Sequence, residues 1–303
     1  MQKDLIRVLL YFDVFSHPLT KNELFSFVGV SKELSKEAEL VLDNLVWQGF
    51  ISLHAGFYYF GNNKSVVRRR LNSKRLAESR MRDAKRYARI ISFFPFVRGI
   101  FLSGSISKDS MSEDDDIDYF IITEPDRLWI SRSLLILFKK LFLFNSYRNF
   151  CINYLVDTEH LLIGENNRFV ATEIVTTIPA YNTSLHRKFL DTNSWVKSYY
   201  PTFYHNGPFT IGNPPFFKLW LEKLFNNSWG DRLDNYFLKS SLSYIRKKFK
   251  NMNEESFSKA FSINKYELRF LPNRNHIRIL RSYDERITDF VNKTGICLDA
   301  KNI

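Results

Sequence analysis

Residues 3–14 carry apolar side chains at Leu5, Val8, Leu9 and Phe12, the spacing of one face of a helix. Thr20-Lys-Asn-Glu23 has the form of a capping box, in which a hydroxyl and a carboxylate satisfy each other's backbone amides, and it predicts a second helix to Phe27. A third helix is expected over 35–48, with Ala38, Leu40, Val41, Leu45 and Val46 on a broad apolar face. The runs 50–53 and 57–60 then flank the turn His54-Ala-Gly56 as a small hairpin. From residue 64 glycine and proline are absent until Pro95, and Val67, Leu71, Ala77, Met81, Ala84, Ala88 and Ile91 mostly recur at three or four, with Lys74 in the one missing place. This predicts one long helix over 64–94.

Strands over 97–102 and 116–122, a helix over 126–144 and a strand over 150–156 follow as an α/β unit. Beyond about residue 168 the pattern is mainly helical: 169–178, 184–199, then long amphipathic stretches over 216–250 and from 275 onward, with Asn213-Pro214-Pro215 as a joint. The expected fold class is α+β in four parts. Residues 1–63 resemble a winged-helix domain, 64–94 form a connecting helix, 95–182 an α/β core with a small mixed sheet, and 183–303 a helical C-terminal domain.

Charge sharpens this division. The chain of 303 residues has a net charge of +12, which calls for an acidic partner, but the excess is local. Residues 1–63 hold five basic and seven acidic side chains, a net of −2, whereas residues 64–89 hold eleven basic side chains against Glu78 and Asp83, a net of +9. A winged helix that reads duplex DNA needs Lys or Arg on its third helix and wing to reach phosphates. Here the third helix has Glu37, Glu39 and Asp43 against Lys36, so duplex DNA is disfavoured and an interaction role with a protein partner, or a packing role, is preferred for residues 1–63. The basic helix reads either as a solvated face or as a track for a polyanion such as RNA.

Only Cys151 and Cys297 are present, and the N-terminus intersperses Asp4 and Arg7 among apolar residues, so a reducing, cytoplasmic location is expected. The most apolar run, 134–144, is interrupted by Lys139-Lys140 and falls short of the roughly 20 residues of a membrane-spanning helix. No span is expected.

The candidate chemistry lies in FLSGSISKDSMSEDDDIDYFII. Gly104-Ser105 follows an apolar strand, and after ten intervening residues Asp116-Ile117-Asp118 opens another. Alternation along a strand puts Asp116 and Asp118 on one face, two adjacent oxygen donors suited to a divalent cation. The glycine turn lets backbone approach a phosphate, with Ser105, Ser107 and Lys108 placed to assist.

This arrangement resembles the nucleotidyltransferase superfamily, most closely the polymerase-beta-type enzymes with a minimal or kanamycin-nucleotidyltransferase-like core. The pattern of hydrophobic residue, Gly, Gly or Ser, a spacer, then Asp, hydrophobic, Asp, hydrophobic is met by Leu102 or Ser103, Gly104-Ser105 and Asp116-Ile117-Asp118-Tyr119, over about residues 90–160. The resemblance implies transfer of a nucleoside monophosphate from a nucleoside triphosphate, with Mg2+ (or Mn2+), to an acceptor that is RNA, protein or a small molecule. Asp116 and Asp118 would be catalytic metal ligands, and Gly104, Ser105, Ser107 and Lys108 would bind the nucleotide. The family adds a third carboxylate from a neighbouring strand. On the expected strand over 150–156, alternation sets Cys151, Asn153, Leu155 and Asp157 on one face, so that position reads Asn153, which can offer a carbonyl oxygen but no charge. Asp157 and Glu173 are the less favoured metal ligands. The alternative function is a catalytically weakened nucleotide-binding regulatory protein. Arg269 to His276 has the spacing of the arginine-to-histidine motif of helical RNases, but Pro272 inside it argues against a continuous helix.

Overall fold

The computed structural model describes residues 1–146, 148–202, 216–270 and 275–298. The expected joint at Asn213-Pro214-Pro215 and Pro272 lie outside the described residues. Three helices, α1 (Gln2–Asp13), α2 (Lys21–Val28) and α3 (Ser35–Trp47), begin the chain. The capping box forms: Thr20 Oγ1 accepts from the Glu23 amide, and the Glu23 carboxylate accepts from the Thr20 amide at 2.7 Å. β2 (Ser52–His54) and β3 (Phe57–Tyr59) make the expected hairpin, but a two-residue strand, β1 (Leu19–Thr20), also joins it in the order β1-β3-β2. On α3 the buried side chains are Ala38, Leu42 and Leu45, while Leu40, expected in the core, is 70% exposed. A helix this short presents only one narrow stripe to its neighbours, and Leu42 falls on it.

The long helix is present as α4 (Ser65–Ser92), but its inward stripe differs from the apolar pattern. Val67, Arg70, Ala77, Arg80, Ala84, Ala88 and Ile91 are buried, whereas Leu71 is exposed. Two of the basic residues are therefore internal struts. Arg70 binds Glu23 at 2.7 Å and the Asp109 carbonyl at 2.8 Å, and Arg80 donates to the Arg148 carbonyl and to Asn149 Oδ1. Buried guanidinium groups persist where such acceptors compensate the loss of water.

The core is a mixed six-stranded sheet in the order β7-β4-β5-β6-β9-β8, built from β4 (Val97–Ser103), β5 (Asp118–Thr123), β6 (Cys151–Asp157), β7 (Ile178–Tyr181), β8 (Phe261–Ile263) and β9 (Glu267–Phe270). Only β5 and β6 run parallel. The short α5 (Gly104–Ser107) follows β4, and α6 (Leu128–Phe142) links β5 to β6. β7 occupies the end of the stretch expected to be helical over 169–178, since α7 (Arg168–Val175) stops three residues earlier. Residues 183–303 are not all helical: besides α8 (Thr183–Thr192), a short 3-10 turn, α9 (Phe216–Phe225), α10 (Ser228–Lys248), α11 (Glu254–Ala260) and α12 (Asn275–Thr294), they supply β8 and β9. The fold is mixed α+β with one small antiparallel and one larger mixed sheet.

Alternation along the strands divides the interior into two layers. Ile100, Leu102, Tyr119, Ile121 and Leu155 face α4 and α6. Phe101, Phe120, Ile122 and Val156 face α7, α8 and α12, and that layer is continuous with Leu5, Leu9, Leu24 and Leu42 of the first three helices. The N-terminal helices thus share a core with the larger sheet. Arg286 on α12 binds Asp13 at 2.7 Å and ties α1 to the C-terminal helix. No helix among the described residues is long and apolar enough to cross a membrane.

Candidate functional site

β4 ends at Ser103, paired with Asp118, and the chain then turns through Gly104 at φ +69°. A side chain would be doubly disfavoured here, because this is the left-handed region and because an added Cβ would collide with Asp118 Oδ2. The glycine is what allows the turn to lie directly on the carboxylate.

β5 begins at Asp118, two residues later than expected, yet Ile117 already accepts from the amide of Cys151 at the start of β6 and donates to the Arg148 carbonyl just before it. Ile117 is fully buried between half-buried Asp116 and Asp118, so alternation extends across all three. Burial pushes Asp118 up to about 6, the negative charges of Glu173 and Asp116 add to the rise, and the Cys151 thiol and Lys108 oppose it. Burial and the neighbouring Asp118 and Asp116 carboxylates push the Cys151 thiol well above its usual value.

β6 departs from regular alternation. Its register against β5 jumps between the pairs Tyr119 with Ile152 and Phe120 with Tyr154, leaving Asn153 as a bulge residue. Leu155, expected on the same face as Asn153, therefore lies with Ile152 in the layer under α4 and α6. Asn153 donates from Nδ2 to Asp118 Oδ1 at 2.9 Å. To ligate a cation through its carbonyl oxygen the amide has to turn over.

The other nominated residues separate clearly. Glu173, on α7, meets Lys108 Nζ at 2.8 Å, and Lys108 also donates to the Gly104 carbonyl. Ser105 lines a cavity beside them. Ser107 does not: it is buried, and its hydroxyl donates to the Gly104 carbonyl, so Ser110 takes the exposed place expected of it. Asp157 pairs with Thr123 at the far end of the strands, about 16 Å along from the Asp118 level. Its carboxylate accepts from the amides of Glu159 and His160 and from the His160 ring, which makes it a loop cap remote from the other acids.

Two cavities meet at Gly104 and Glu173. One, about 400 Å³, is lined by Ser105, Lys108, Ser110 and Asp115 together with Tyr11, Phe12 and Phe15. The other, about 280 Å³, is lined by Asp118 and Asn153 with Phe120, Tyr154, Arg269 and His276. Arg269 lies on β9 and binds Glu165 at 2.6 Å, while His276 opens α12 with Nε2 3.7 Å from the same carboxylate. The two residues of the RNase-like spacing thus share a cavity without sharing a helix. That convergence, and the aromatic wall from α1, carried no local signal.

Among the described residues no group of three or more His, Cys, Asp or Glu side chains is arranged to hold a metal ion. Asp116 and Asp118 nevertheless suit a hard cation whose shell is completed by a substrate's phosphates, which is how magnesium is usually held. The raised pKa of Asp118 is what a carboxylate withdrawn from water beside further acids displays. In comparisons with family models, curated proteins and solved structures, the chain matches none.

Proposed function

We propose that the chain is a nucleotidyltransferase that moves a nucleoside monophosphate from a magnesium-bound nucleoside triphosphate to an acceptor, in a cytoplasmic setting. The observation that carries this reading is the glycine turn lying on Asp118, a half-buried carboxylate beside like charges that lines one of the two cavities meeting at Gly104 and Glu173. A group-transfer enzyme needs a donor and an acceptor on opposite sides of one reacting atom. One cavity takes the nucleotide and the other the acceptor.

In this reading the Ser105 hydroxyl and Lys108 ammonium hold the phosphates. Asp116 and Asp118 hold the cation, which lowers the charge on the triphosphate when bound, and Asn153 keeps Asp118 aligned through the 2.9 Å hydrogen bond. The acceptor oxygen forms a bond to the α-phosphorus, the bond to the β-phosphate oxygen breaks, pyrophosphate leaves, and Glu173 takes the acceptor proton. Glu173 suits that role because it is a carboxylic residue that lines both cavities. The acceptor is RNA guided by α4, a protein or a small molecule. The first three helices with β1, β2 and β3 keep the winged-helix-like reading.

A second reading, a nucleotide-binding regulator, is favoured by Asn153, which brings no charge to the place where a third carboxylate is expected. Incubation with each α-labelled nucleoside triphosphate, magnesium and a cell extract separates the two. Label transferred by the wild type and lost in Asp116→Ala/Asp118→Ala supports the transferase. Nucleotide binding with no pyrophosphate release supports the regulator, and label retained in the double variant removes the proposed chemistry.

A further inference from the structure

Resting on the nucleotide-site reading, the geometry points to the N-terminal helix α1 as the wall on which the nucleobase stacks. The cavity of about 400 Å³ is in the size range of small-ligand sites, and its lining combines two chemically unlike sets of residues. Ser105, Lys108 and Ser110 come from the turn after β4 and suit phosphate, whereas Tyr11, Phe12 and Phe15 come from α1 and the residues after it and suit an aromatic ring. A triphosphate held by the first set is within one small cavity of the second.

Phe15 is the informative member of this wall. Tyr11 and Phe12 are buried and explicable as core, but Phe15 is 44% exposed while lining the cavity. Its ring is braced edge-on by Tyr11, with centroids 5.5 Å apart. Thr172, the residue preceding Glu173 on α7, lines the same cavity as Tyr11, and its hydroxyl bonds Tyr200 at 2.7 Å. Arg286 clamps the end of α1 through Asp13. The aromatic surface thus shares one packed core with the helix that carries the acidic group, the preorganisation a stacking platform requires.

His17 completes the wall. Burial, with the cationic charges of Arg70 and Lys108, lowers its pKa far below the usual value, so the ring faces the cavity neutral. A neutral imidazole can both donate to and accept from the edge of a base. In this arrangement the N-terminal unit contributes to the nucleotide site of its own chain and has no need of duplex DNA, consistent with its net negative charge.

The test measures dissociation constants of ATP, GTP, CTP and UTP, and of inorganic tripolyphosphate, with magnesium, for the full-length wild type, Phe15→Ala, Phe15→Trp and Lys108→Ala. Loss of one stacking partner is expected to weaken the preferred nucleotide by roughly 5- to 100-fold in Phe15→Ala. Tripolyphosphate binding stays unchanged, Phe15→Trp restores nucleotide affinity, and Lys108→Ala weakens both ligands. An unchanged nucleotide affinity in Phe15→Ala overturns the assignment, as does a wild type that binds nucleotides no better than tripolyphosphate. Failure of both ligands to bind the wild type overturns the nucleotide-site reading itself and this inference with it.

Discussion

Asp118 and Asp234 are both taken out of water and both pushed up to about 6, but their surroundings are opposite in kind. Asp234, on α10, accepts from the Ile130 amide at 2.8 Å and sits beside the Trp129 amide and the Arg127 guanidinium, at the otherwise uncapped N-terminus of α6. Its carboxylate caps a helix that has no cap of its own. Asp118 has the Asn153 amide and the Cys151 thiol but faces the charges of Glu173 and Asp116. Asp234 is answered on one oxygen by a backbone amide at a helix start while its other oxygen has no partner among the described residues, whereas Asp118, with Asn153, Cys151 and Lys108 at hand, also faces two further acids. The same displacement in pKa thus belongs to a helix cap in one place and to a carboxylate beside further acids in the other, and only the identity of the neighbours tells them apart.

The sharpest way to break this contrast is turnover. Asp118→Asn is expected to lower transfer by about 10³-fold or more, since it removes a cation ligand, while Asp234→Asn leaves the rate per folded molecule unchanged. Equal losses in both variants would erase the distinction. Next in size is the cation itself. At about ten times its dissociation constant, magnesium is expected to stabilise the wild type and Asp234→Asn by about 1.4 kcal/mol, seen as a rise of a few degrees in Tm, and to leave Asp118→Asn unmoved. A rise that persists in Asp118→Asn would place the cation elsewhere.

Stability separates the two acids in the opposite sense. Asp234→Ala is expected to cost about 1–2 kcal/mol in urea unfolding, through loss of the cap on α6. Asp118→Asn keeps an oxygen for Asn153 and removes a charge that its neighbours repel, so it is expected to raise Tm at pH 7. The smallest effect is the pH dependence. Asp234 binds its proton more tightly in the folded chain, about 6 against an ordinary 3.8, so the folded state carries the extra proton between these values. The contribution of this group to stability therefore rises as pH falls from about 6 towards 4 and is at its least favourable above 6. Urea midpoints measured at pH 7 and pH 5 are expected to show a smaller gain on acidification in Asp234→Asn than in the wild type.

Legibility from sequence followed the distance over which each feature is decided. The capping box of Thr20 and Glu23, the turn at Gly104 and the pairing of Asp116 with Asp118 around Ile117 were all readable, because each is set within a few residues. Glu173 was readable as a candidate but not as a neighbour, since its 2.8 Å contact with Lys108 joins residues from different elements. The strand phase beyond Asn153 was misread because a bulge depends on the register of the adjacent strand. Arg70 and Arg80 were read as surface charge because helical periodicity cannot register that Glu23, Asp109, Arg148 and Asn149 wait across the interface.

Taken alone, the amino-acid sequence determined what short-range sterics and periodicity can encode: the leading helices, the hairpin, the long basic helix, the glycine turn and the aspartate pair. Tertiary structure alone decided that β8 and β9 extend the sheet, that Arg269 and His276 reach the cavity of Asp118, and that Phe15 lines one cavity with Ser105 and Lys108. The physical reason is that burial, register and charge compensation are properties of surfaces brought together from distant parts of the chain, and a residue's own neighbours in sequence carry no record of which surface it will meet.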